Sequence, residues 1–209
     1  MDLLHVVPGF LIAVLFMAAV PGPAVALILR RAALRGARAT VPVVLGLETG
    51  LYLWALAAGG GLAALVAASH TAYAVLRVLG AGVLLWLGLR AWRAAWVGTP
   101  QPVQVLPVRF GRRGAFAEGL LVQVANPKAA VFTFAFYPQF VPHDSAVLAW
   151  TAGLGLLQVS VETVLYLLLT LAVGRASRWF TRPVVRRRLE AASGTVLVAL
   201  GLRVAVEAH

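Results

Sequence analysis

Apolar residues run through this chain in six long stretches, separated by arginine clusters or short polar turns. The stretches cover about Leu3–Leu29, Val41–Ala68, Ala72–Leu89, Ala115–Val141, Ala146–Val173 and Leu189–Val206. A straight helix crosses a bilayer with about 20 apolar residues. Each stretch therefore predicts a membrane-spanning helix, and the first, second, fourth and fifth are long enough for tilt or breaks. The expected fold is all-α: a polytopic membrane protein with six transmembrane helices. The first stretch follows Met1-Asp2 without a basic segment and is too long for a signal peptide's apolar core, so it is expected to be a retained helix.

Two of the stretches are interrupted. Val20-Pro21-Gly22-Pro23-Ala24 breaks the first, and Ala125-Asn126-Pro127-Lys128-Ala129 breaks the fourth. Proline lacks a backbone donor and clashes with the preceding turn, so each stretch should become two half-helices. Pro23 and Pro127 can each open the second half, where the missing donor costs nothing. Free amides and the positive end of a helix dipole then face the interruption, and both favour an anionic group such as a carboxylate. Freed backbone groups at membrane depth are tolerated only against protein or a wet cavity. Paired interruptions in corresponding halves point to a transporter's substrate site.

Composition agrees with a membrane location. Of 209 residues, 61% are hydrophobic and 12% are charged, against roughly 45–50% and about 25% in soluble domains. A single membrane domain over residues 1–209 is expected. No cysteine is present, which excludes disulfides and thiolate metal sites. The formal net charge of +11 first suggests nucleic acid, but fifteen of the 18 basic residues lie in Arg30–Arg38, Arg90–Arg113 and Arg175–Arg188. These are the loops between alternate spans, so no nucleic-acid partner is expected. The positive-inside rule makes them cytoplasmic and puts both termini outside. Trp92, Trp96 and Trp179 lie beside them as an aromatic belt would, and Val97–Pro107 reads as an irregular cytoplasmic loop.

The halves also repeat. A proline break, an acidic residue and Leu-Gly-Leu-Arg occur in that order twice: Pro21, Glu48, Leu87-Gly88-Leu89-Arg90, then Pro127, Glu162, Leu200-Gly201-Leu202-Arg203. With three spans each, the second copy must be inverted. Repeat one covers about 1–92, repeat two about 115–209, and a cytoplasmic loop over 93–114 joins them.

Few residues at membrane depth can carry chemistry. Lys128 is the only lysine, and a charge at mid-membrane costs about 2.5–3.5 kcal/mol on insertion scales. That cost calls for a partner, either a glutamate or a passing carboxylate. Glu48 lies between Gly46 and Gly50, which permit close backbone approach. Glu162 shares a helix face with Gln158. An intramembrane carboxylate is a functional candidate by default, able to load and release a proton or to pair with Lys128. The candidate site is therefore Pro21, Gly22, Pro23, Glu48, Gly50, Asn126, Pro127, Lys128, Gln158 and Glu162. Arg77 reads as snorkelling to the outer face. The four histidines lie near ends or outer loops, and no phosphate-binding GxxxxGK[ST] occurs, so neither a metal centre nor a cofactor is expected.

These residues resemble the LysE/RhtB amino-acid exporters across nearly the whole chain. The resemblance rests on Pro21-Gly22-Pro23 before the Arg30–Arg38 loop, Gly46 and Gly50, and Arg77-Val78-Leu79-Gly80-Ala81 leading to Arg90. It continues through Gly119 to Asn126-Pro127-Lys128, Phe136-Tyr137-Pro138-Gln139-Phe140 and Leu200-Gly201. It implies a six-span secondary exporter of amino acids or close derivatives in the bacterial plasma (inner) membrane, driven by the proton gradient. The implied partners are a small zwitterionic substrate, protons and membrane lipid, and a homodimer is compatible with this. The chain departs from the pattern at Glu48, where a small residue is expected, and at Leu51, where an acidic one is common. A cation or metal exporter ranks lower, because Lys128 opposes a cation. A membrane-embedded enzyme ranks lowest, for want of a His, Asp, Ser or Cys cluster.

Overall fold

The computed structural model describes residues 3–20, 22–68, 70–97, 111–141, 146–173 and 182–207. Eight helices form there: α1 (Leu3–Ala19), α2 (Pro23–Arg35), α3 (Ala37–Ala68), α4 (His70–Val97), α5 (Arg112–Val124), α6 (Pro127–Phe136), α7 (Val147–Leu171) and α8 (Pro183–Glu207). A 3₁₀ turn at Tyr137–Gln139 extends α6, and no strand occurs among the described residues. Pro21, most of the loop expected at 97–107, and Trp179 lie outside the described residues, as do the side chains of Arg77, Pro127 and Arg203.

The fold is an all-helical polytopic membrane protein. Ala37–Ala64, Val78–Val97 and Val147–Leu171 are each long and apolar enough to cross a bilayer. The first and fourth apolar stretches are broken as their prolines require. Val7–Ala19 meets Pro23–Arg35 at 55°, and Arg112–Val124 meets Lys128–Gln139 at 59°. Taking each bent pair as one span gives five candidates. The sixth stretch forms α8, 25 residues long, whose first turns carry Arg186, Arg187, Arg188 and Glu190. It is outside that set of five but lies along α4.

Glycine sets how closely the long helices pack. Gly46 of α3 lies against the Phe116 carbonyl of α5, and Gly119 of α5 lies against the Val43 carbonyl of α3. Higher up the same seam, Gly50 leaves room for Gln123. No side chain fits at Gly46 or Gly119, so the backbones touch, as small residues permit in membranes. Gly88, Gly194 and Gly201 seat α8 against α4 in the same way, where Trp92 Nε1 donates to the Ala191 carbonyl at 3.1 Å.

These contacts also fix direction. Gly59 meets Thr151 while Gly155 meets Ala55, so α3 and α7 are antiparallel. Gly88 meets Gly194 while Gly201 meets Ala81, so α4 and α8 are antiparallel too. Each partner is the corresponding segment of the other half, which is the geometry an inverted repeat requires.

Gly119→Val is expected to destabilise the protein by at least about 1–3 kcal/mol, since overpacking must push α3 from α5. Gly153→Ala is the control. Nothing lies within 4 Å of the position its Cβ would take, and helix propensity favours alanine by roughly 0.5–1 kcal/mol. Thermal unfolding in detergent checks both, and equal melting of the two variants contradicts the seam.

Two apolar cores flank the breaks. One gathers Phe10 of α1 with Phe132, Phe136, Tyr137 and Phe140, the Phe132 and Phe136 rings stacking at 4.4 Å. The other packs Val25 and Ile28 of α2 against Val43, Val44 and Leu47 of α3 and Tyr166 of α7. Between them lie the two interruptions.

Candidate functional site

The two breaks differ in how they satisfy their backbone. Gly22 precedes α2 in extended conformation and Pro23 is its first residue. No side chain among the described residues caps α2, so the amides of Ala24 and Val25 at its start lack a capping partner. At the second break Asn126 is the cap of α6, and its Oδ1 accepts from the Lys128 amide at 3.1 Å. Both openings border one cavity, which Gly22, Ala24, Val25, Asn126 and Lys128 help to line.

Lys128 links the two broken spans. Its backbone belongs to the first turn of α6, while its Nζ reaches the Met17 carbonyl at 3.5 Å. Met17 lies in the last turn of α1, at the negative end of the helix dipole. The ammonium thus sits at the end of one half-helix and the start of another. Glu162 and Glu190 lie within its electrostatic reach.

α7 supplies part of the wall. Gln158, Glu162 and Tyr166 line the cavity and are all buried. Gln158 and Glu162 are one turn apart, and Gln158 Nε2 donates to Glu162 Oε1 at 2.7 Å. Tyr137 Oη donates to Gln158 Oε1 at 2.9 Å, which fixes which end of the amide faces the carboxylate. Tyr166, one turn further along α7, faces Glu162 from the same cavity wall. Met17, Val20, Leu51 and Phe132 complete an apolar lining.

Lys128 and the hydrogen-bonded carboxyl group of Glu162 put one basic and one acidic side chain on the cavity wall. About 50 Å³ is open to the centre of a water molecule, where one water needs about 10–15 Å³ by that measure. The site therefore suits a small solute. Among the described residues, no three His, Cys, Asp or Glu side chains group closely enough to hold a metal ion.

Residues 15–208 match the LysE type translocator family. The chain belongs to the LysE family. It is 30% identical over 174 residues to the homoserine/homoserine lactone efflux protein of Salmonella typhimurium, covering 83% of each chain. It is 28% identical over 132 residues to the leucine efflux protein of Salmonella choleraesuis, covering 63% of this chain and 61% of that one. An uncharacterized membrane protein of Vibrio cholerae is 24% identical over 202 residues, 97% of each. No solved structure gives a significant match. As a LysE family member the protein is a membrane translocator, and the cavity lies where its two broken helices meet.

In this LysE family chain, the expected residues divide by place. Gly22, Asn126, Lys128, Gln158 and Glu162 come together at the cavity. Pro23 starts α2 and Pro127 starts α6. Pro21 lies outside the described residues. Glu48 is buried at 3% exposure and does not line the cavity, while Leu51 on the same helix does. Gly50 is a packing position, with Gln123 seated against it.

Several buried polar groups escaped the sequence reading. Arg31, counted there with a cytoplasmic loop, is 3% exposed, and its Nη1 lies 2.7 Å from Oε2 of Glu118, itself 2% exposed. Arg31 Nε also donates to the Ala39 carbonyl at 3.0 Å. This ion pair ties α2 to α5. Gln123 lines the cavity, and its carbonyl accepts from Trp54 Nε1 at 3.3 Å, close to the second break. Glu118 and Glu190 are acidic residues inside apolar stretches, so the rule that selects Glu48 and Glu162 also reaches them.

Proposed function

We propose that the protein is a secondary exporter of amino acids or amino-acid derivatives, working by alternating access in the bacterial plasma membrane and driven by inward proton movement. One observation carries this reading: a cavity between two broken helices that presents Lys128 and half-helix amides on one side and Glu162 on the other. A zwitterion matches that polarity. Its carboxylate takes the amides of Ala24 and Val25 with the Lys128 ammonium, and its own ammonium takes Glu162, the carboxyl group on the cavity wall. Charge-assisted contacts of this kind are the strong ones. The apolar wall accepts a short side chain. The efflux activities named for the Salmonella relatives support an amino-acid cargo.

In this reading the repeats at about 1–92 and 115–209 rock against each other around a fixed site. The arginine loops face the cytoplasm and both termini lie outside. Its partners are the substrate, protons and lipid.

Cells that overproduce the protein are expected to lose one class of amino acid to the medium, read by mass spectrometry. A proton uncoupler is expected to abolish the loss. No loss of any amino acid, from protein shown to be in the membrane, contradicts the reading and turns attention to a cation cargo.

A further inference from the structure

Two buried carboxyl groups, Glu48 and Glu162, feel each other's charge, and they are held differently. Glu162 accepts a hydrogen bond from Gln158, has Tyr166 beside it and lies on the cavity wall. Gln158 is fixed in turn by Tyr137. Neither oxygen of Glu48 has a hydrogen-bond partner among the described residues. Glu48 stands behind the wall on α3, with Glu162 as its charged neighbour. A buried anion is tolerable where donors surround it and very costly where none do. Two like charges side by side add to that cost.

We propose that Glu48 carries the proton that drives export, and that Glu162 receives the ammonium of the substrate. The assignment rests on the exporter reading and divides its labour. With the site empty, the charge of Glu162 faces Glu48 and keeps a proton there. A zwitterion entering from the cytoplasm brings its ammonium to Glu162 and cancels that field. Glu48 then gives its proton to the cytoplasmic side as the substrate is taken. After the substrate leaves outside, Glu162 is bare again and Glu48 takes a proton from that side. One proton enters for each zwitterion that leaves, so one positive charge moves inward per cycle. Coupling needs no direct contact between proton and substrate, only the field between two neighbouring carboxylates.

The groups that act on Glu48 support this. Glu162 and Tyr166 face it from α7. Lys128 of α6 acts through Glu162. Arg31 of α2 and Glu118 of α5 are committed to each other.

The test uses the whole protein in liposomes with two assays. One is accumulation of labelled amino acid driven by an imposed pH gradient. The other is exchange of labelled for unlabelled amino acid with no gradient. Glu48→Gln is expected to exchange substrate yet lose at least tenfold of the gradient-driven accumulation, and Glu48→Asp to recover part of it. Glu162→Gln is expected to lose both. The proposal is overturned if Glu48→Gln accumulates like wild type, or if it loses exchange while folded by size-exclusion chromatography. Exchange by Glu162→Gln at the normal rate also overturns it. Wild type that exchanges amino acids but ignores the gradient overturns the proton role alone. Wild type that exchanges no amino acid overturns the exporter reading itself.

Discussion

Lys128→Ala is expected to stop amino-acid export while leaving the protein folded in the membrane. Among the described residues its Nζ makes one hydrogen bond, a long one of 3.5 Å to the Met17 carbonyl, so little of the hydrogen-bonded fold depends on it. In the proposed exporter its weight falls on the substrate. A hydrogen bond to a charged group is worth roughly 1.5–3 kcal/mol, or about 10- to 150-fold in rate. Removing the ammonium also leaves Glu162 without its nearby positive charge, which lowers the affinity of the site for a carboxylate further. The check is the efflux rate of a preloaded amino acid, normalised to folded protein. Export at the wild-type rate contradicts the placement of the carboxylate at Lys128.

Arg31→Met is expected to cost about 3–5 kcal/mol of stability, because Glu118 then keeps a buried charge without its partner. One kcal/mol shifts the melting point by roughly 2–4 °C in a chain of this size, so the fall should exceed about 6 °C. Arg31→Met with Glu118→Leu is expected to recover most of it, since apolar replacement of both partners removes the stranded charge. Melting curves in detergent for both single variants and the double check this. A double variant as unstable as Arg31→Met contradicts the pair as the cause and points to the Arg31 Nε bond to Ala39.

How much was legible in the sequence depends on how local the physics is. Proline acts on its own turn, so Pro23 and Pro127 announced the starts of α2 and α6, and the bends of 55° and 59° follow from them. Long apolar stretches announced the helices, because a bilayer demands length and composition rather than pattern. Lys128, Gln158 and Glu162 were legible because a polar group in such a stretch needs a reason. Placement across helices was not. Glu48 and Glu162 look equivalent in sequence, yet only Glu162 reaches the cavity, and the rotation of α3 that hides Glu48 is set by the glycine seam with α5. Arg31 was hidden by its company. Its three neighbours in the basic cluster, Arg30, Arg35 and Arg38, read as a loop, and nothing local says that Glu118, far away in sequence, meets it. Gly50 was expected to permit close approach, and which neighbour approaches, Gln123, could not be read from one helix alone. Tyr137 and Tyr166 were missed because aromatic residues in apolar stretches read as core until their hydroxyls find partners.

The most direct test of the central claim is competition for transport in liposomes by altered forms of the exported amino acid. One form is the decarboxylated amine, which offers no oxygen to Lys128 or to the amides of α2. The other is the N-acetyl form, which offers no ammonium to Glu162. If the site grips a zwitterion at both ends, each form should compete at least about tenfold more weakly than the parent, from the loss of one charge-assisted contact. If either form competes as well as the parent, the site does not read that end, and the opposed charges of Lys128 and Glu162 serve some other purpose.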